Sequence, residues 1–544
     1  MDNQAIAKHF RELADLLEYH DENTFKIRSY RKAYDLLRKR DEPVAGLDAK
    51  ALQGIDGIGK AISEKIVTLT ETGQLPQLIA ERERTPELAL QLMGIRGLGP
   101  GKVRGLVTGL DVQSIGELLH AARENRVVAL KGWSDKSQAK LVGQLEFYQR
   151  SLGKVLYGKA EASAVELLGR LRGECVRADF AGELARQCPQ LDEFEYVCQG
   201  PEAGFAERLK LELRDGAYRG DSDGLPVSVR VVEASRYGSE LVRATASRTF
   251  VRKHPGLDEA MKADAKTEQE VFAKAGMPFV HVAQREATSP YPPTPPEELI
   301  TPQDIRGVVH AHTTYSDGST ELRDLVRACK EAGYEYLTVT DHSKVATYAN
   351  GLSIDKLAAQ MREIEEVNAE VEDFTVFSGT ECDILRDGSL DYPDEVLAEL
   401  DIVIASVHST LGMSESDATA RLIKAVEHPN VHMLGHPTGR LLLSRAGYPV
   451  DMDKLIDACV ANATAIEINA SPYRLDLDWT YVRRAADRGI PISINPDAHS
   501  IKGIGDIRYG VLAAQKAGLR KVECLNALDA EGFREGLLTG SFLI

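Results

Sequence analysis

The stretch that decides the fold is residues 307–318, GVVHAHTTYSDG. A short apolar run ends in His310-Ala311-His312, and Asp317 follows five residues later. In an extended segment residues two apart face the same side, so His310 and His312 would present their imidazoles together. That is a metal-ligand geometry, yet one such pair is equally consistent with ordinary surface or core histidines. Partners elsewhere in the chain decide between the two.

Beyond residue 305, apolar strand-like runs at 307–313, 334–340, 374–379, 401–407, 431–435, 463–469 and 491–495 alternate with helical segments such as 321–332. This rhythm predicts βαβ units around a parallel sheet, and seven repeats predict a TIM-like barrel, closed or nearly so. Chemistry in such barrels sits at the C-terminal ends of the strands, and the polar residues fall there. The first strand ends in His310 and His312, the second in Asp341 and His342, and the third in Glu381. The fourth ends in His408, the fifth in His436 and the seventh in Asp497 and His499. Six of the 13 histidines therefore lie on one rim, a grouping too costly without a cation to organise it. His428 and His432 fall off this rim and read as ordinary. Imidazole with carboxylate suits zinc, manganese or iron better than calcium or magnesium. The ligand count exceeds what one tetrahedral ion needs, so at least two divalent ions are expected. Such a cluster activates water and polarises a phosphoryl oxygen, which is metal-assisted phosphoester hydrolysis.

Upstream, AQREATSPYPPTPPEELITPQD (283–304) carries five prolines within seven residues after Ser289. It can neither continue a helix nor join a sheet, and reads as a linker. Residues 153–281 are mixed, with a helix expected near 160–171 and strands near 195–198 and 226–232. At the start of the chain, apolar residues at helical spacing are interleaved with Lys26, Arg28, Arg31, Lys32, Arg38, Lys39 and Arg40. Two segments then share one pattern. LQGIDGIGKAISEKI (52–66) and LMGIRGLGPGKVRGL (92–106) both run Gly-x-x-Gly-x-Gly into a basic helix. Gly54, Gly57 and Gly59, and Gly94, Gly97 and Gly99, would let backbone N–H groups approach a phosphate, with Lys60, Lys102 and Arg104 adding charge. LKGWSDKSQAKLV (130–142) keeps the spacing, loses the later glycines and reads as a structural relic.

The chain has 544 residues, 43% of them hydrophobic, which the length prior divides into roughly three or four domains. Residues 1–9 contain no apolar leader and no run approaches membrane-spanning length. Seven scattered cysteines without a CxxC pair suit a reducing compartment, so a cytoplasmic location is expected. The net charge of -17 lies almost entirely beyond residue 150 and does not exclude DNA as partner.

HAH…SDG, TDH, GTE, SVHS, GHPTGR and DAHS, in this order, resemble the PHP (polymerase and histidinol phosphatase) domain over about residues 304–544. The resemblance implies a distorted (βα)7 barrel with up to three ions. His310, His312, Glu381 and Asp497 would hold one ion, Glu381 with His408 and His436 a second, and Asp317, His342 and His499 a third. It also makes Asp341 a candidate catalytic residue and Asn469 and Arg474, in EINASPYRLDL, candidates for phosphate contact. The two glycine motifs resemble helix-hairpin-helix elements, and paired with a PHP domain they resemble family X DNA polymerases. That likeness implies a helical lyase-like domain (1–84), a fingers-like helical domain (85–150), an α/β nucleotidyltransferase-like palm (151–285), a proline-rich linker (286–304) and the PHP domain (305–544).

Family X palms carry Gly-Ser, a DxD pair and a third aspartate. Here Gly182 is followed by Glu183, Glu193-Phe194-Glu195 stands in place of DxD, and Ser228 replaces the third aspartate. The nucleotide-site segment has become Arg243-Ala244-Thr245-Ala246. Glu193 and Glu195 read as solvent-facing strand residues, magnesium in the palm is not expected, and polymerase activity is expected to be weak or lost. Lys65 aligns with the family's Schiff-base lysine, with Lys26 and Tyr30 around it, which makes abasic-site lyase chemistry a subsidiary expectation. The leading expectation is a 3′-5′ exonuclease acting on gapped, nicked or 3′-recessed duplex, with action at abasic sites and no obligatory protein partner. A gap-filling polymerase and a small-molecule phosphatase are the alternatives.

Overall fold

The computed structural model describes residues 1–40, 42–123, 126–286 and 292–539. It contains two compact units, Met1–Leu152 and Gly153–Ile544.

The first unit is helical. Helices Asn3–Tyr19 and Thr24–Arg38 bury Phe10, Leu13 and Leu17 against Ile27, Tyr30, Ala33 and Leu37, the three- and four-residue spacing that gives a helix one apolar face. A second apolar cluster joins Tyr19 to residues between Leu88 and Leu145. Each cluster holds one hairpin, Ala49–Gln53 turning into Lys60–Thr72 in the first and Glu87–Met93 turning into Pro100–Leu110 in the second. Gly57 and Gly97 occupy the same place in each turn, at φ of 90° and 91°, where a side chain is disfavoured. The expected relic folds the same way: Val127–Ala129 turns through Gly132, φ 86°, into Asp135–Ser151.

The second unit joins a mixed sheet to a barrel. In the mixed sheet the strand order is Cys175–Phe180, Phe194–Pro201, Leu225–Val232, Ala217–Ser222, Glu212–Arg214. Its central pair, Phe194–Pro201 and Leu225–Val232, is parallel and the other pairs antiparallel, and helix Tyr157–Glu174 packs on it. The barrel has seven parallel strands in chain order, Gly307–Ala311, Tyr336–Val339, Thr375–Asp383, Ile402–Ser406, Met433–Leu434, Ala465–Asn469 and Ile492–Asn495. The loop after the last strand returns to the first: His312 N donates to Ala498 O at 2.9 Å, and Ala498 N to His310 O at 3.2 Å. One end of the interior is apolar, built from Val309, Tyr336, Phe377, Ile404 and Met433 and plugged by Phe533 of helix Ala530–Thr539. The other end carries the polar residues.

The first strand departs from the expected alternation. Its pairing shifts register between Val308 and Ala311, and His310 has φ of 67°. A bulge, rather than simple two-residue periodicity, aims the His310 and His312 rings together with centroids 5.2 Å apart. His436 and Asp497 also have positive φ, 24° and 52°, so three rim residues hold strained backbone.

Mixed sheet and barrel are joined through buried polar contacts. Lys516, 3% exposed, donates to Arg186 O at 2.9 Å, lies 3.4 Å from Glu286 Oε1 and stacks over Trp479. Burial alone would raise the Glu286 carboxyl's pKa, but Lys516 and Arg186 hold it below its ordinary value. Tyr509 donates to Glu161 at 3.1 Å, and Gln187 to Gln515 at 3.2 Å. The described part of the proline-rich segment is docked as well: Thr294 Oγ1 donates to Gly518 O at 2.6 Å and Ile300 N to Leu519 O at 3.1 Å. Pro290 lies outside the described residues.

Candidate metal centre

At the polar end of the barrel the strand termini bring nine side chains together. Glu381 is the hub. Its Oε1 lies 2.8 Å from His436 Nε2, 3.1 Å from His408 Nε2 and 3.5 Å from His310 Nε2. Its Oε2 lies 2.9 Å from His342 Nδ1 and 3.8 Å from His312 Nε2. Asp497 Oδ1 is 3.0 Å from His312 Nε2 and 3.6 Å from His310 Nε2, and Asp317 stands 3.4 Å from His499 and 3.6 Å from His342. Three groups have candidate ligand atoms within 4.8 Å of one another: His312, Asp317, His342 and His499; His310, His312 and Asp497; and His342, Glu381 and His408.

The charge balance of the cluster favours cations. Burial would raise the pKa values of Glu381 and Asp497, yet the surrounding imidazoles hold both well below the ordinary range. Burial would lower that of His310, but Glu467, Asp497 and Glu381 drive it well up. By the same balance His408 is raised to about 10 and His499 to about 9. His310 Nε2, His312 Nδ1 and His342 Nδ1 are buried without a hydrogen-bond partner, each a cost of roughly 1–3 kcal/mol if nothing binds it. Divalent ions supply the missing positive charge and use those lone pairs, so the residues fit a multi-ion site.

A second layer holds these groups in place. His310 Nδ1 lies 2.6 Å from Glu467 Oε1 and His408 Nδ1 3.2 Å from Asp383 Oδ1. Because a carboxylate only accepts, each outer nitrogen carries the proton and each Nε2 faces the cluster, the carboxylate–histidine–metal arrangement. Neither carboxylate was singled out from the sequence. Each sits two residues from a quoted one, Asp383 after Glu381 and Glu467 before Asn469, and the alternation of a strand was the available signal. Asn469 Nδ2 donates to Asp497 Oδ2 at 2.9 Å, which makes it an orienting group. Arg474 is half-buried with Nε 4.0 Å from the same oxygen, at the mouth of the site. Asp341 has no room for substrate: its carboxylate accepts from Thr313 N at 2.9 Å, Thr313 Oγ1 at 2.6 Å and Ser316 N at 3.2 Å, and also from Ser316 Oγ and Gln360 Nε2. It anchors the loop that carries Asp317. His432 accepts from Val403 N and His428 pairs with Asp394, both away from the cluster.

The corresponding place in the mixed sheet is filled differently. Glu195 and Ser228 are register partners, and Glu193 pairs with Arg219 at 3.1 Å. Both glutamates are half-buried rather than solvent-facing, because Arg219 draws Glu193 across the sheet and Glu195 folds onto Gly182. A Cβ at Gly182 would fall 1.8 Å from Glu195 Oε1. Burial and then Glu193 raise the Glu195 pKa. Arg243 donates to Met261 O at 3.0 Å instead of facing a nucleotide. Among the described residues, every grouping of three or more candidate ligands lies in the barrel.

In the helical unit, Gly54 and Gly94 close the short helices and Gly59 and Gly99 start the long ones with no capping side chain. The N–H groups of Lys60 and Ala61 in the first and of Gly101 in the second, where Pro100 has none, are open to a phosphate without a capping side chain, whereas in the third hairpin the Ser134 hydroxyl takes the N–H of Ser137. Lys60 is exposed, Lys102 lies over Trp133 and Arg104 pairs with Asp21 at 3.1 Å. Lys65 is half-buried on helix Lys60–Thr72, and Tyr30 donates to Gln77 at 3.2 Å. Gly57→Ala and Gly97→Ala each force a side chain into left-handed backbone, at Gly57 also 3.0 Å from Leu36 Cδ1. Each is expected to weaken binding of non-specific duplex DNA about 5- to 30-fold by fluorescence anisotropy, on the roughly 1–2 kcal/mol cost of that conformation. Unchanged affinity would remove the hairpins from the binding surface.

Residues 1–75 match a helix-hairpin-helix domain and residues 309–471 a PHP domain. A DNA polymerase/3′-5′ exonuclease PolX from Bacillus subtilis (strain 168) is 31% identical, covering 98% of this chain and 99% of the relative. The chain belongs to the PolX family. Its fold is the PolX arrangement of a helix-hairpin-helix region and a PHP barrel, and it is an enzyme, a metal-dependent phosphoesterase. The helix-hairpin-helix domain marks a DNA-binding protein. Two further relatives match part of the chain. A probable phosphatase from Thermoanaerobacter sp. (strain X514) is 27% identical over 40% of this chain and 88% of its own length. Another from Caldicellulosiruptor bescii is 29% identical over 36% and 80%. Among the described residues, no PolX helix here is long and apolar enough to cross a membrane.

Proposed function

We propose that this PolX protein degrades DNA from the 3′ end through its barrel and does not extend primers through its palm. One observation carries the reading: the full ligand cluster stands in the barrel, while in the palm Arg219 occupies Glu193 and Ser228 faces Glu195. The helix-hairpin-helix region, like the exonuclease function named for the Bacillus relative, favours a polynucleotide over the small substrates of a phosphatase.

His310, His312, Asp317, His342, Glu381, His408, His436, Asp497 and His499 would hold two or three ions, with zinc, manganese or iron matching this donor set. When bound, the ions polarise the phosphodiester and activate water. Glu467 and Asp383 fix the orientation of His310 and His408, and Asn469 that of Asp497. Arg474 donates to a non-bridging phosphoryl oxygen at the mouth of the site. Lys65 remains the residue through which any abasic-site lyase step would run.

The test uses a 5′-labelled gapped duplex with Mn²⁺, with and without deoxynucleotides. The label is expected to shorten under both conditions, and Glu193→Ala to shorten it at the wild-type rate. Extension into the gap that Glu193→Ala abolishes would restore the polymerase reading. No shortening, together with rapid hydrolysis of a small phosphomonoester, would establish the phosphatase reading.

A further inference from the structure

Three aromatic side chains are exposed among the described residues, and two of them, Tyr348 and Tyr473, stand at the rim of the metal centre. The third, Phe25, belongs to the helical unit. Tyr348 lies on the turn Thr347–Ala349 after the second barrel strand and is 69% exposed. Its ring centroid is 6.1 Å from that of His342 and 6.3 Å from that of His408. Tyr473 follows the sixth strand, is 51% exposed, and directly precedes Arg474, whose guanidinium approaches Asp497. From the palm, helix Tyr157–Glu174 places Lys159 over the Tyr473 ring, 5.3 Å from its centroid. That helix is fixed against the barrel at this point, with Gly158 packed on Pro472 and Tyr509.

A single exposed ring needs no explanation. Two rings on separate loops, each beside a candidate ligand or phosphate-contact residue and interleaved with Arg474 and Lys159, form the combination that binds single-stranded nucleic acid: aromatic faces for bases and cations for the backbone. Every base has a π face, so such a grip accepts any sequence. It requires the base to be unpaired.

Resting on the nuclease reading above, we propose that Tyr348 and Tyr473 are stacking platforms that hold the unpaired 3′-terminal nucleotides of single-stranded DNA over the metal centre, with Lys159 and Arg474 on the adjacent phosphates. The palm thereby contributes a substrate contact to the barrel's reaction. A paired 3′ end must fray before it is cut, and a small phosphoester gains nothing from the rings.

The test uses the full-length holoenzyme and an oligonucleotide with 2-aminopurine at its 3′ end, its last linkage blocked as a phosphorothioate. Binding is expected to quench the fluorescence in the wild type, Tyr348→Phe and Tyr473→Phe, but much less in Tyr348→Ala and Tyr473→Ala. On unmodified single strands each alanine variant is expected to lose roughly 10-fold in kcat/KM, mostly through KM, the size of one base–aromatic stack, while the phenylalanine variants stay within about 2-fold of the wild type by the same reasoning. Alanine variants that quench and cleave like the wild type would overturn the proposal. So would a loss on bis(4-nitrophenyl) phosphate proportional to the loss on DNA, because that marks a disturbed metal centre. If the wild type shortens no DNA, the nuclease reading falls, and the quenching still decides whether the rings meet the bases.

Discussion

Glu381→Gln is expected to strip the metal centre of ions and to slow DNA shortening by more than about 1000-fold, since even outer contacts to metal ligands are worth roughly 10- to 100-fold. The reason is geometric. One buried carboxylate reaches five imidazoles within 3.8 Å, so no other side chain can take over its position between the groups. Glutamine keeps the shape, removes the charge and turns an amide N–H toward nitrogens that must stay free as ligands. Metal content by inductively coupled plasma mass spectrometry should fall with activity, while circular dichroism shows a folded chain. Chelation of the wild type should abolish shortening, and added Mn²⁺ should restore it in the wild type alone. A variant that kept its ions and its rate would remove Glu381 from the centre.

The second large effect is expected from a residue that touches no substrate. Glu467 lies 2.6 Å from His310 Nδ1, accepts the His436 N–H at 2.6 Å and accepts from Asn495 Nδ2 at 2.9 Å. In Glu467→Gln one oxygen becomes a donor, and whichever way the amide turns it meets another donor. Two ligands on different strands then lose their orientation together. Metal affinity, measured by chelator competition, is expected to fall about 10- to 100-fold, with the rate following the occupied fraction. Raising free Mn²⁺ should recover much of the rate in Glu467→Gln but not in Glu381→Gln, and this contrast separates a positioning residue from a ligand. Failure of both to recover would show that Glu467 is itself a ligand.

Much of this centre could be read from residue types alone. Histidine and carboxylate at the end of strand after strand needed only the rule that a parallel barrel does its chemistry at the C-terminal ends of its strands. Less legible was anything that depends on a departure from regular backbone. The His310 bulge is one case, because period-two alternation predicted the right grouping by a conformation the strand does not adopt. Glu467 and Asp383 are another, since a buried carboxylate has no sequence mark distinguishing it from an exposed one until its partners are placed. In the palm, the loss of the third carboxylate was plain at Ser228, but Arg219's hold on Glu193 depends on which strand lies alongside Leu225–Val232. Asp341 shows the opposite failure: a motif position beside a ligand proved to be held by its own loop.

Lys516 bears on why a palm without its carboxylate triad persists. Its ammonium lies buried on the barrel side, and the groups that satisfy it, Arg186 O and Glu286, come from the palm side. A barrel without the palm would hold that ammonium in water and bare the face of Tyr509 that now packs on Gly158. In this chain the palm covers barrel surface that a free-standing barrel would present to solvent. The palm therefore keeps a packing role whatever becomes of its own chemistry, and its surface is free to acquire work such as that of Lys159.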